Sequence, residues 1–161
     1  MYRYLITTRE DDIVTLTEEL TMVKDYFYLI KTRFGEAYTF EIDEAYAFKE
    51  YNDAEVYTEQ GRSAKAYIPS GALQTVIENV VKHNKVIHGK PVDTLLKITK
   101  DAVILTNTKS TMAKHTIESL GTGLKNLKER YELLLDKTIF IQETDTHFEV
   151  RLPLVNVTTT S

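Results

Sequence analysis

The chain has 161 residues, 42% of them from the AVILMFWYC set, which is enough for one well-buried core and short for two. Its 20 Lys and Arg against 24 Asp and Glu give a formal charge of -4, so no electrostatic footprint for nucleic acid or an anionic membrane is present. The absence of cysteine excludes a disulfide framework and a thiolate zinc site, and a reducing compartment, the cytoplasm, is the simplest expectation.

From Asp12 to Phe34, apolar residues recur at Ile13, Leu16, Leu20, Val23, Phe27, Ile30 and Phe34, alternately three and four apart. That period predicts a helix with a heptad-type seam, used either in a coiled coil or as the inward face of an ordinary amphipathic helix. Thr15 or Thr17 ahead of Glu18 and Glu19 suits its start and Gly35 its end. Such a helix is roughly 20 residues and about 30 Å long. After Gly35 the period changes to two, with Tyr38, Phe40 and Ile42 alternating against Thr39, Glu41 and Asp43, the pattern of a half-buried strand. Residues Glu44 to Ala66 are Tyr-rich and charged, with turn signals at Asn52-Asp53 and Gly61, and read as a partly stranded, solvated excursion.

Pro69-Ser70-Gly71 leads into a helix with Leu73, Val76, Ile77 and Val80 on one face. Strands from Thr94 to Thr99 and from Ala102 to Asn107 flank a Lys100-Asp101 turn and read as a hairpin. Thr108 to Leu120 is a polar loop that ends in Gly121-Thr122-Gly123, and a helix with Leu124, Leu127, Tyr131 and Leu134 follows. Strands around residues 137–143 and 147–155 and a polar tail complete the chain. Charged residues interrupt every apolar run well before the ~20 residues that cross a bilayer, and no signal-peptide core follows Met1. This segment is expected to lie outside the membrane.

The chemistry concentrates on two elements. A wheel of the helix after Gly71 puts Gln74, Thr75, Glu78, Asn79, Lys82 and His83 on the polar side, so an amide oxygen, an ammonium and an imidazole project together from Asn79, Lys82 and His83. The same spacing is what a solvated helix face produces. The second element is the glycine pair at Gly121 and Gly123, where backbone can approach a ligand closely and the unpaired N–H groups and positive helix end favour phosphate. His83 and His88, five residues apart, diverge around a helix and do not form a metal pair.

Here the residues reach a family. The run LQTVIENVVKHN, Leu73 to Asn84, is similar to the N-box of the GHKL (Bergerat-fold) ATPases in the form used by LytS/YehU-type sensor histidine kinases. GTGLKNLKERYELL, from Gly121, resembles the G2 box of those kinases, with its Asn and Arg-Tyr at Asn126 and Arg130-Tyr131. VTLTEELTMVKDYFYLIKTRFG, from Val14, looks like the second helix of their dimerisation domain. The resemblance implies an α+β two-layer sandwich of the GHKL ATP-binding type preceded by a long helix. Residues 1–34 would be the remnant of the dimerisation domain, 35–157 the ATP-binding catalytic domain and 158–161 a tail.

It also implies ATP and Mg²⁺ as cofactors. Asn79 would bind the Mg²⁺ that bridges the phosphates, Lys82 would contact phosphate oxygens, and His83 would lie beside the triphosphate or ribose. The backbone at Gly121, Thr122, Gly123 and Leu124, with Asn126, would cradle phosphate, and Thr108 to Leu120 would be the lid. At the G1 box, where most relatives place an Asp to accept from the adenine amino group, this sequence has Asn107, followed by Thr108 and Lys109. The side-chain oxygen of Asn107 can accept that hydrogen bond, without the strength of a carboxylate. Thr75, one helical turn before Asn79, offers no base for hydrolysis.

The phosphoacceptor histidine of such kinases stands on a helix upstream of the seam helix. Here His83, His88, His115 and His147 all lie downstream of it, so the acceptor is expected outside this sequence. The implied function is to bind Mg·ATP and donate its γ-phosphoryl group to that histidine, for relay to a response regulator. Self-association through helix 12–34 belongs to the same expectation, with any membrane anchor outside this segment. The alternative is a catalytically degenerate Bergerat-fold interaction module with weak or no ATP binding, and Asn107 and Lys109 are the features that keep it open.

Overall fold

The computed structural model describes residues 12–43, 56–57, 62–84, 89–110 and 121–160, with side chains for 12–43, 66–84, 89–110 and 121–156. Most of the expected excursion, His88, and residues 111–120 of the expected lid with His115 lie outside the described residues.

Strand β1, Ile13–Thr15, runs straight into helix α1, Leu16–Phe34. The junction is a capping box: the Thr15 hydroxyl accepts from Glu18 N–H at 3.2 Å, and the Glu18 carboxylate accepts from Thr15 N–H at 3.0 Å. The heptad seam is turned inward. Leu16, Leu20, Val23 and Ile30 are buried, Phe27 stacks on Phe40 at 4.2 Å, and Phe34 meets Tyr38 edge-on at 5.2 Å. Burying an aliphatic side chain of this size is worth about 1.5–3 kcal/mol, which favours closing the seam onto the chain's own sheet. Met22, Tyr28 and Leu29 point outward.

The remaining elements follow in chain order: β2 (Tyr38–Asp43), β3 (Val56–Tyr57), β4 (Arg62–Pro69), α2 (Ala72–His83), β5 (Val92–Ile98), β6 (Ala102–Thr108), α3 (Thr122–Leu135), β7 (Phe140–Glu143), β8 (His147–Pro153) and β9 (Val155–Thr160). A five-stranded sheet runs β2-β5-β6-β8-β7, with β2 parallel to β5 and the other neighbours antiparallel. β5 alternates buried and exposed residues along its whole length, so one face is covered and the other is bare. The covered face shares a core with α1, α2 and α3, giving the expected two-layer α/β arrangement.

A second sheet, which the sequence does not announce, is built on β4. It pairs antiparallel with β1, β3 and β9. The residues read as a polar tail are therefore extended and paired through Thr160, opposite Arg62. Strand pairing satisfies backbone groups whatever the side chains are, so a run of threonines, which suit strands, serves here without an apolar pattern.

In the large sheet the register sets Phe40 beside Thr94, Thr94 beside Asn107 and Asn107 beside Phe148, all in one row. The next row is Ile42, Leu96, Leu105 and Val150. Two polar residues thus stand in a row where apolar neighbours are the rule.

Candidate functional site

β4 ends at Pro69, and Ser70-Gly71 turns the chain into α2, with Gly71 at φ 77, a left-handed conformation that glycine adopts without strain. The first turn of α2 is held from outside. Glu19, on α1 and 2% exposed, accepts from Gly71 N–H at 3.0 Å and from Leu73 N–H at 3.2 Å. Thr75 returns its hydroxyl to the Gly71 carbonyl at 2.9 Å. Ala72, Leu73, Val76, Ile77 and Val80 face the core.

The polar side of α2 is not uniformly wet. Lys82 is exposed, His83 is half-buried and partnered, and Gln74 and Glu78 bond each other at 3.0 Å. Asn79 is buried at 8% exposure, and its side chain makes no hydrogen bond among the described residues. It lies at the border of the apolar face, one position before Val80, where neighbouring elements cover it.

Helix α3 starts at Thr122 after Gly121, which stands at φ 84. Thr122, Gly123 and Asn126 are exposed, while Leu124, Leu127 and Tyr131 are buried and Arg130 is half-buried. No side chain among the described residues caps this N-terminus. A methyl group added to Gly123 would sit 3.5 Å from Thr75 Cγ2. The first turns of α2 and α3 are therefore in contact, which brings the two chemically loaded elements together at this end. Further along α3, the buried Tyr131 donates its hydroxyl to the Pro153 carbonyl at 2.9 Å. Burial, and then the Glu19 carboxylate, push its phenol well above the ordinary range, with Arg130 pulling the other way.

At its far end α2 is tied to the sheet by Asn84. This side chain donates to the Val80 carbonyl at 2.8 Å and accepts from Ser110 N–H at 3.0 Å, while its own carbonyl accepts from the Tyr38 hydroxyl at 2.8 Å. The last turn of α2 thus lies over the sheet end that carries Thr94 and Asn107. Thr75 and Asn84 are nine positions apart, which separates the two ends of the site by about 13 Å along the helix.

Asn107 and Thr94 form a cross-strand pair, 2% and 3% exposed. The Asn107 amide nitrogen donates to the Thr108 carbonyl at 2.8 Å, which leaves its oxygen as the free acceptor. That oxygen and the Thr94 hydroxyl have no hydrogen-bond partner among the described residues. Leaving a buried polar atom unpaired costs about 1–3 kcal/mol, so two in one pair single this place out as a candidate site for a polar ligand.

Lys109 belongs elsewhere. Its ammonium lies 2.7 Å from the Glu143 carboxylate, with both side chains nearly fully buried, and donates to the Thr144 carbonyl at 2.9 Å. The feature that spoke for a degenerate site is thereby turned away from Asn107. His147 lines a depression of about 490 Å³ with Glu41, Asp93 and Leu95, which Thr94 also borders. The depression lies on the bare face of the sheet, and there the Thr39 hydroxyl bonds Asp93 at 2.6 Å. No group of three or more His, Asp or Glu among the described residues could hold a metal by itself. No helix among them is long and apolar enough to cross a membrane.

Residues 1–38 match the family model described as histidine kinase. Among solved structures, two nucleotide-free crystal forms of the catalytic domain of histidine kinase ThkA are similar to this chain. The isopropanol form is 14% identical over 88% of this chain and 94% of that one, with a TM-score of 0.46. The 1,2-propanediol form is 14% identical over 88% and 95%, with a TM-score of 0.49. No curated protein matches the sequence.

Thr94, Asn84 and Glu19 are the residues that sequence reasoning does not single out. Thr94 becomes visible only through its register with Asn107, and Glu19 only through a contact 52 residues away.

Proposed function

We propose that this chain is the ATP-binding catalytic part of a sensor histidine kinase. The observation that carries the reading is the buried, unpartnered Asn107 oxygen beside the equally unpartnered Thr94 hydroxyl, at the sheet end that the last turn of α2 covers. An acceptor and a donor side by side fit the exocyclic amine and ring nitrogen of adenine and mismatch guanine, whose carbonyl and ring N–H invert the pattern. The match of residues 1–38 to the histidine kinase model supports the class of reaction.

The remaining residues fall into roles along α2. The open N-terminus of α3, at Gly121, Thr122, Gly123 and Leu124, supplies backbone N–H groups for phosphate, with the exposed side chain of Asn126 one turn further on. Asn79 offers one hard oxygen suited to Mg²⁺, which keeps waters and takes its other ligands from phosphate. One turn further on, the exposed Lys82 would contact phosphate oxygens and His83 would lie beside the triphosphate or ribose. When bound, the metal neutralises charge on the phosphate oxygens. The chain's own work is positioning: α2 and α3 hold the triphosphate, and Thr75 gives water no base near it. An imidazole nitrogen then attacks the γ-phosphorus, the bond to the bridging oxygen breaks, and ADP leaves. The histidine comes from outside the described residues, and a response regulator takes the phosphoryl group from it. Association of two such chains through helix 12–34 would use the outward face with Met22, Tyr28 and Leu29, because the seam is occupied.

Calorimetric titration of the chain with a non-hydrolysable ATP analogue tests the reading. Magnesium-dependent binding that prefers adenine to guanine is expected. No binding at millimolar concentration would leave the degenerate interaction module as the better account.

A further inference from the structure

Glu19 touches neither the phosphate end nor the base end, yet three helices meet at it. Its carboxylate rises from the first turn of α1, receives two N–H groups from the first turn of α2, and lies near enough to Tyr131 on α3 to act on that phenol. Among the described residues no lysine or arginine pairs with it, so the two N–H bonds and the positive end of α2 are what balance its charge. α1 is thus fastened to α2 by an electrostatic bond that depends on their relative position to within a hydrogen-bond length. Thr75, which contacts Gly123, is one turn into the capped helix, and Asn79 is one turn further.

We propose that Glu19 is a positioning residue for the triphosphate end of the site, the contact through which a displacement of α1 reaches Thr75, Gly123 and Asn79. The proposal rests on the ATP reading above. It makes α1, which lies inside the stretch that matches the histidine kinase model, the element that sets whether the phosphate-binding turns are in register. The base end, held by Asn84 and Tyr38, does not depend on it.

The test compares two ligands on one protein, adenosine and a magnesium-bound non-hydrolysable ATP analogue, in wild type and in Glu19→Gln. The amide keeps the shape of the side chain but presents an N–H₂ toward backbone donors. The expected result is a loss of about tenfold or more for the triphosphate, as for other residues that orient a ligand set, with adenosine affinity kept within about twofold. Glu19→Asp, which keeps the charge one methylene short, should recover part of the loss. It also carries the comparison if Glu19→Gln does not fold. Glu132→Gln, on the exposed side of α3, is the control and should change neither ligand. Equal losses for both ligands, or none in a folded variant, would overturn the proposal. A wild-type chain that binds neither ligand would overturn the ATP reading and this coupling with it.

Discussion

Helices α2 and α3 begin side by side and are finished in opposite ways. α2 receives a buried carboxylate from α1 on its first N–H groups, so its positive end is neutralised within the fold. α3 is entered through Gly121-Thr122-Gly123, all three exposed, without a side-chain cap among the described residues. Both helix ends carry the same partial charge, equivalent to roughly half a proton. The fold thus places its own anion on one helix end and leaves the neighbouring end without one. On the proposed reading, anion binding is then directed to one of two adjacent helix ends.

Closing the open end should give the largest effect. Thr122→Asp places a carboxylate where α3 now has none, so on the proposed reading it repels the triphosphate. Juxtaposed like charges cost several kcal/mol, and an affinity loss of about a hundredfold or more is expected in calorimetry. The same variant should melt slightly higher, since an acidic residue in a first turn adds about 0.3–1 kcal/mol. Unchanged affinity would mean that the open end is not the phosphate site.

A smaller and more selective effect is expected at Asn79, between the two ends of the site. Asn79→Ala should weaken magnesium-bound nucleotide by about tenfold or more, in the range seen when a metal's ligand set is disturbed, while metal-free nucleotide is hardly affected. Because Asn79 is buried, the substitution should also cost about 1 kcal/mol of stability by thermal denaturation. Equal loss with and without magnesium would remove Asn79 from the metal site.

The base end contrasts with α2's capped start in another way, since its polar groups are left unsatisfied. Asn107→Leu removes the unpartnered oxygen together with the amide's one bond to the Thr108 carbonyl, so stability should change by no more than about 1 kcal/mol in either direction. Adenine selectivity over guanine should disappear at the same time. A variant that melts lower and keeps its selectivity would mean that the Asn107 oxygen serves the fold.

The smallest effect concerns Tyr131, buried on α3 within reach of the Glu19 charge. The Tyr131 phenol has a raised folded pKa, so its contribution is complete below the unfolded value of about 10 and is lost as pH rises above it. Thermal midpoints of wild type should fall more steeply between pH 9 and 11 than those of Tyr131→Phe. Parallel slopes would show that Tyr131 is not a source of the alkaline loss.

Much of this architecture is legible from local pattern. The capping box at Thr15 and Glu18, the seam of α1, the period-two strands and the hairpin around Lys100-Asp101 all follow from residues within a few positions of one another. What escapes is non-local. Glu18 and Glu19 look alike in sequence, yet one caps its own helix and the other a helix far along the chain. Asn79 falls on the polar side of a wheel, but whether that side is wet depends on elements the wheel does not contain. Lys109 reads as a cation beside the base site until β7 and β8 bring Glu143 to it. The second sheet was invisible because strand pairing along β9 needs no hydrophobic signal.

The Lys109–Glu143 pair also bears on how a small molecule would be designed for this protein. With its charge cancelled inside the fold, the lysine adds no ionic attraction at the Asn107 end. On the proposed reading, a neutral heterocycle with an amine beside a ring acceptor would meet what this end offers. A phosphate mimic would meet the other end, where salt and magnesium would govern its hold. Two fragments of different chemistry, joined across the length of α2, should have separable affinities, one insensitive to ionic strength and one steeply dependent on it.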